Sequence, residues 1–438
     1  IMQVDKDTLH DLSIFNSDES VSIFNYLNQT TTVGGKEMLR YLVQTPLDSI
    51  QKINDAQDVI KVLANTLPSW PTSITNGTIM VVAKYYETQF DPYPQHPTYF
   101  NSNWYKIFHA PDYALTKYTI THCIDFLNGM FAVHQLLLDY NEHPIASSWT
   151  ESIEKKLSKP ALASLRLMDI KTATPQQILS IAGQIRTRHK QDFYDLIDLY
   201  STMDAYQSLA RVFVAEGLCF PNFTTAPTAC ITATNCYHPL LVTPTPYTIT
   251  LEKDSNFLFL TGANMAGKST FIKAVGISVY LAHLGMGVPA KTMELTLFDG
   301  LLSNINVMDN IIKGESYFYN EVKRIKNTIE KINDGKNWLI LIDELFKGTN
   351  VEDAMKCSTA VIEGLRKIKP SLFILSTHLY EIGDNLKQYA NIQFKYFETS
   401  INDGELVFNY QLKEGISDDR LGYLILKREG VVDLLQNL

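Results

Sequence analysis

The chain has 438 residues, 45% of them hydrophobic and 19% charged, with a formal net charge of −9. That length calls for two or three domains, and the apolar content is enough to give them cores. The acidic balance excludes a chain coated in basic surface for sequence-independent nucleic-acid binding, while leaving room for a local basic stripe.

The first half reads as helices. Val21, Phe24 and Leu27, then Met38, Leu39 and Leu42, recur at helical spacing, with Gly34-Gly35 between the two runs. From Tyr85 to Tyr105 aromatics alternate with Pro92, Pro94 and Pro97, which predicts irregular structure. Those rings could stack bases, but only Lys84 and Lys106 accompany them, so a loop packed on its own rings is expected. A long helix is predicted from Tyr113 to Tyr140. A second starts at the N-cap Thr174 with Pro175 in its first turn and continues to about Val214, some 40 residues and about 60 Å. Its cluster Arg186-x-Arg188-His189-Lys190 could meet phosphates, yet Asp192, Asp195 and Asp198 follow at once, and a solvated charged face is the better reading.

Near Cys219 the character changes. Pro221, Pro227, Pro239, Pro244 and Pro246 punctuate β-prone runs such as 231–234 and 247–250. This places a boundary near residue 220, with a mostly helical domain over 1–220 and an α/β domain over 221–438. The five cysteines (Cys123, Cys219, Cys230, Cys236, Cys357) show no metal-ligand spacing, since Cys230 and Cys236 with His238 lack a fourth ligand. Reduced thiols are expected. Residues 1–6 carry no apolar leader, and the stretch 271–290 is interrupted by Lys273, His283 and three glycines. A cytoplasmic location without membrane contact is therefore expected.

The apolar strand Phe257-Leu258-Phe259-Leu260 runs into Gly262-Ala263-Asn264-Met265-Ala266-Gly267-Lys268-Ser269-Thr270, which fits G-x-x-x-x-G-K-[ST]. Glycines let backbone amides turn inward, the following helix adds partial positive charge at its N-terminus, and Lys268 reaches the outer phosphates. Ser269 would place its hydroxyl on magnesium. A second strand, Trp338 to Ile342, ends in Asp343-Glu344, where ligand groups of a parallel sheet belong. Asp343 would hold the Mg²⁺ shell and Glu344 would orient or deprotonate the attacking water. A third strand, Leu372 to Leu375, leads to Ser376-Thr377-His378. His378 stands where a γ-phosphate sensor is needed, although a lone histidine is more often structural. Gly314 to Phe318 opens a helical segment through Ile329. No Asn-Lys-x-Asp element is present to read guanine, so ATP is the expected nucleotide.

These residues resemble the MutS family of DNA mismatch-repair ATPases, of the ABC class. The resemblance rests on T-G-A-N-M-A-G-K-S-T at 261–270, Val288-Pro289-Ala290, Asp343-Glu344 followed by Lys347-Gly348-Thr349, Ser376-Thr377-His378, and Gly422-Tyr423. It extends more weakly to the first half through Leu27-Asn28-Gln29-Thr30-Thr31-Thr32, Gly34-Gly35 and Leu39-Arg40-Tyr41-Leu42, which look like the opening of a helical core or lever domain. The resemblance implies a P-loop ABC-type α/β ATPase domain behind that helical domain, with ATP held at a homodimer interface. Lys268, Ser269, Asp343, Glu344 and His378 would serve one nucleotide, and Ser316, at the signature position, would reach the γ-phosphate bound by the other subunit. Residues 415–438 would form dimerising helices. Leu345-Phe346-Lys347 and Asn350 depart from the commoner pattern, and no Phe-x-Glu mismatch-reading element precedes the core, as in a short, divergent branch. Two functions follow as expectations: a DNA-coupled ATPase of mismatch repair or a related process, or an ATP-switched dimer acting on a protein with little DNA binding.

Overall fold

The structure is a computed structural model that describes residues 1–305, 317–403, 405–417 and 422–436, without the side chain of Leu424. The chain divides into two units: Ile1–Tyr26 with Thr45–Ile53 and Gly217–Leu438, and Leu27–Gln44 with Asn54–Glu216. Among the described residues no helix is long and apolar enough to cross a membrane.

The second of these units is helical throughout. Ala110–Leu137 is the long central helix expected, followed by one 3₁₀ turn to Tyr140. Thr174 caps the next helix as expected, its side chain and that of Gln177 closing a reciprocal capping box. The predicted 40-residue helix is instead two, Pro175–Arg188 and Lys190–Glu216. At the break His189 leaves helical geometry (φ −118°, ψ 15°) and pairs through Nδ1 with Asp192 at 2.8 Å.

The charged cluster there is only partly the solvated face expected: Arg188, Lys190 and Asp198 are exposed, but Arg186 and Asp192 are structural. Arg186 donates to the carbonyls of Tyr85 and Thr88 at 2.6 and 2.5 Å and covers the Tyr85 and Phe90 rings. Asp192 is 4% exposed and gathers Lys156, Lys159 and His189. Desolvation of Asp192 is outweighed by these partners, Lys159 first, so its carboxyl lies below the usual range.

Gly34 and Gly35 do not separate two helices; they lie inside Val33–Gln44. Their reason is close approach. A Cβ on Gly35 would sit 2.0 Å from Asp204 Oδ2, and one on Gly34 2.4 Å from Ser201 Oγ. Asp204 uses that proximity to accept from Thr31 and Thr32, through both backbone amides and both hydroxyls, at the start of the same helix. The aromatic segment is also only partly irregular. Tyr85, Phe90, Tyr93 and Tyr105 pack ring on ring as expected. From Tyr99 to Phe108 the chain is a capped helix that leaves Phe100 and Trp104 exposed.

The other unit holds two sheets. Its strands are β1 (Gln3–Val4), β2 (Asn222–Thr224), β3 (Ile231–Cys236), β4 (Tyr247–Leu251), β5 (Phe257–Gly262), β6 (Thr292–Thr296), β7 (Gly300–Asn304), β8 (Trp338–Asp343), β9 (Leu372–Ser376), β10 (Ile392–Asn402) and β11 (Glu405–Glu414). The large sheet runs β1-β7-β8-β9-β5-β10-β11, and only its edge strand β11 is antiparallel. The small sheet runs β2-β6-β3-β4. β5, β8 and β9 are buried at every position, which is why their sequences show unbroken apolar runs rather than alternation.

Residues 1–26 do not belong with the helical unit, as a boundary at 220 implied. β1 adds to β7, and Asp11 of the helix Lys6–Asp11 accepts from Ser303 Oγ, Ile305 N and Arg324. A two-residue strand and one short helix carry no periodicity long enough to read.

Candidate functional site

The register of the large sheet brings the three sequence motifs to one edge. Asp343, the last residue of β8, stands opposite Ser376, the last of β9, and Leu260 of β5 pairs with the same Ser376. The loops leaving these three C-terminal ends are therefore neighbours.

The loop after β5 turns at Gly262 (φ 146°) and Gly267 (φ 114°) before the helix Lys268–His283 begins. The second turn needs glycine for its conformation, not for space. A Cβ there would meet the Tyr410 ring at 3.4 Å and Phe397 at 3.6 Å, ordinary contact distances, so it is the left-handed backbone that favours glycine. Asn264 and Met265 sit on the outside of the loop, Met265 with φ 72° and 81% exposure. Lys268 is 4% exposed and donates to the carbonyls of Gly262 at 2.6 Å and Ala263 at 3.0 Å. Burial holds its amine below the ordinary lysine value, against the attraction of Glu344 and Asp343.

Asp343 accepts from Ser269 Oγ on one oxygen and from Ser376 Oγ on the other. Glu344 lies beside it with φ 55° and meets two lysines and a histidine: Lys347 Nζ at 2.9 Å, Lys268 Nζ at 3.8 Å and His378 Nδ1 at 3.9 Å. Burial raises the Glu344 carboxyl, but the Lys347 hydrogen bond and the charges of Lys347, Lys268 and His378 hold it below the usual glutamate range. Lys347 moves the opposite way. Its desolvation is outweighed by Glu344, and its amine rises above the ordinary value. The tight ion pair of the site is thus Glu344 with Lys347, while Lys268 is held mainly by carbonyls.

A cavity of about 720 Å³ opens over these groups. Its polar side is formed by the loop from Asn264 to Thr270 with Asp343, Glu344 and Lys347; its less polar side includes Leu241, Val242, Tyr247 and Tyr410. Of the residues expected from the sequence, Gly262, Ala263, Asn264, Met265, Ala266, Gly267, Lys268, Ser269, Thr270, Asp343, Glu344 and His378 fall on these adjoining loops and helix start. Ser316 lies outside the described residues. Sequence reasoning missed Tyr410, which reaches the site from β11, and left Lys347 without a role. A tyrosine in an alternating edge strand gives no local signal, whereas Lys347 was visible as a departure three residues after Glu344.

Among the described residues no group of three or more His, Cys, Asp or Glu side chains could hold a metal alone. Ser269 and Asp343 offer two hard oxygen donors, which fits an ion such as Mg²⁺ that keeps several waters and takes substrate oxygens.

The family model MutS domain V matches residues 258–433, the stretch that contains all three loops. Residues 258–433 are thus similar to MutS domain V, and the chain is MutS-like. It is 29% identical over 256 residues to the DNA mismatch repair protein MutS of Oceanobacillus iheyensis, covering 56% of this chain and 29% of that one. It is 33% identical over 239 residues to the DNA mismatch repair protein MSH3 of Candida glabrata, covering 52% and 23%. The MutS of a Geobacillus species is 30% identical over 247 residues, 54% of this chain and 28% of that one. The MutS-like chain thus spans less than a third of the length of these relatives.

Proposed function

We propose that this MutS-like chain is a P-loop ATPase of ABC type whose hydrolysis is coupled to DNA in mismatch repair or a related maintenance process. The observation that supports this reading most directly is the convergence of Lys268, at the helix start after β5, with Asp343 and Glu344, at the C-terminal end of β8, on the two sides of β9. The relatives are named as DNA mismatch repair proteins, which favours DNA over a protein partner as the coupled substrate.

In this reading the triphosphate lies over the loop 262–267, whose amides and helix start favour negative charge. Lys268 leaves the carbonyls of Gly262 and Ala263 for phosphate oxygens, a move made easier by donors already aimed along the loop. Ser269 and Asp343 would hold Mg²⁺, which when bound would neutralise phosphate charge. Glu344, kept ionised by its cations, takes the proton of the attacking water. His378 stands beside Glu344 at the outer-phosphate end. Tyr410 and the aliphatic wall receive the base. A homodimer with Ser316 of one subunit completing the other's site would make subunit closure depend on ATP. The helices Gly422–Arg428 and Val431–Gln436, with Tyr423 and Leu434 exposed, are the surface available for that pairing.

The test is steady-state ATP hydrolysis at low salt, alone and with duplex, mismatched, single-stranded and four-way-junction DNA, with Lys268→Ala as control. Hydrolysis stimulated by one DNA and lost in Lys268→Ala is expected. Hydrolysis indifferent to every DNA would shift the reading to an ATP-switched dimer acting on a protein, and no hydrolysis would defeat the ATPase reading.

A further inference from the structure

The helix Tyr317–Ile332 buries a carboxylate that the hydrolysis scheme above does not use. Glu321 is 4% exposed, and its two oxygens accept the backbone N–H of Lys347 and of Gly348, each at 3.2 Å. Those amides belong to the turn that follows Glu344. The turn is held in a conformation that L side chains seldom adopt: Glu344 has φ 55° and Phe346 φ 60°. A buried phenylalanine there is an outlier, and such strain persists only where the surroundings over-determine it.

Three contacts from one helix supply that determination. The Phe318 and Phe346 rings lie 5.7 Å apart. Gly348 fits so closely under the helix start that a Cβ would stand 2.7 Å from Phe318 N and 2.8 Å from the Tyr317 ring. The Glu321 carboxylate grips the two amides. Of the three, only Glu321 acts on the backbone with direction, because both of its oxygens point donors of the turn toward the helix.

We infer that Glu321 is a positioning residue for hydrolysis: by clamping the amides of Lys347 and Gly348 it keeps the strained turn that aims Glu344 and its partner Lys347 at the cavity. The inference rests on the ATPase reading and deepens it. It makes the aim of Glu344 depend on the setting of the helix Tyr317–Ile332, which follows directly after residue 316 in the chain. A shift at the start of that helix is carried to the catalytic carboxylate through two hydrogen bonds.

The test uses Glu321→Gln, Lys347→Met and the double variant of the full chain. Glutamine keeps the volume, but its single oxygen can accept only one of the two amides, and its NH₂ then faces a donor. Loss of one charge-assisted hydrogen bond predicts a fall in kcat of about 10-fold. The Kd for a fluorescent non-hydrolysable ATP analogue should stay within about 2-fold, because the clamp acts on aim rather than on phosphate binding. Lys347→Met alone should also lower kcat. Adding Glu321→Gln to it should cost less than about 3-fold more, since both act through one turn and cannot multiply independently.

Wild-type kcat in Glu321→Gln would overturn the inference, as would a loss of analogue binding equal to the loss of kcat. So would full multiplication of the two single effects, the result expected of a generally destabilised domain. Thermal melting of each variant checks that the fold is retained. A wild-type chain that neither binds nor hydrolyses ATP would defeat the functional reading itself, and this inference with it; a normally active Glu321→Gln would defeat this inference alone.

Discussion

His283 should make the sheet-bearing unit acid-sensitive in a defined window. It ends the helix whose first residue is Lys268, it is wholly buried, and it is wired at both ring nitrogens. Phe298 N donates to Nε2 at 3.0 Å, so the proton sits on Nδ1, which bonds the Val279 carbonyl at 2.8 Å. Its own carbonyl accepts from Leu47 N at 2.7 Å. Burial pushes its pKa down to about 4 from an ordinary value of 6.5. The unfolded chain therefore binds the proton more readily than the folded one, and stability rises with pH between those values. The contribution is complete above about pH 6.5 and shrinks by about 1.4 kcal/mol per pH unit below it, roughly 3 kcal/mol in all by pH 4. Carboxylates also titrate in that range, so the useful quantity is the difference between wild type and His283→Gln in urea unfolding at stepped pH. That difference should be constant above pH 6.5 and close progressively toward pH 4. His238, held down to about 4 by burial and by Lys273, keeps the same slope in both proteins and cancels. If both proteins lost stability in parallel from pH 6.5 to 4, the neutral buried imidazole would be the wrong description.

Three further outcomes are expected. Glu344→Gln should cut single-turnover ATP hydrolysis by about 10²- to 10⁴-fold while analogue binding persists, and normal turnover would remove Glu344 from the role of base. Tyr410→Ala should weaken ATP binding by about 10-fold, the worth of one base–aromatic stack, and change saturated turnover less; an unchanged Kd would put the base elsewhere in the cavity. Asp204→Asn should destabilise the helical unit by about 1.5–3 kcal/mol in chemical denaturation, because a donor then faces the amides of Thr31 and Thr32. A cost under about 0.5 kcal/mol would show that those amides find other acceptors.

What could be read from the sequence follows the range of the interactions concerned. Runs such as 257–260, 338–342 and 372–375 are buried on both faces, so their composition alone states that they are central strands and fixes which residues stand at their ends. The loop 262–270 and Asp343-Glu344 are local patterns, and the structure brings them to one edge of the sheet as their positions after β5 and β8 predict. Gly34 and Gly35 show the opposite case. The meaning of Gly35 lies 169 residues away in Asp204 and that of Gly34 167 residues away in Ser201, and read locally they suggest a break where the chain needs a flat helix face. His189 was hidden for a similar reason, because the periodicity of the flanking helices passes through the break almost unchanged.

The same distinction separates the parts of the candidate site. Lys268, Ser269, Asp343 and Glu344 line the cavity proposed for the nucleotide, and phosphate and water chemistry would account for their identities. Glu321 and Tyr410 act on those residues or on the cavity wall from helix and strand positions whose spacing gives no hint of it, and Ser376, though part of the motif at the end of β9, showed no sign that it holds Asp343. Asp343 illustrates the dependence: both of its oxygens are already engaged, by Ser269 and by Ser376. A ligand that recruits Ser269 would therefore leave Asp343 oriented by Ser376 alone, which would give β9 a direct hold on the side of the site proposed for magnesium. Replacement of Ser376 by alanine should accordingly weaken the Mg²⁺ dependence of hydrolysis before it affects nucleotide binding without metal, and an unchanged Mg²⁺ titration would show that β8 positions Asp343 unaided.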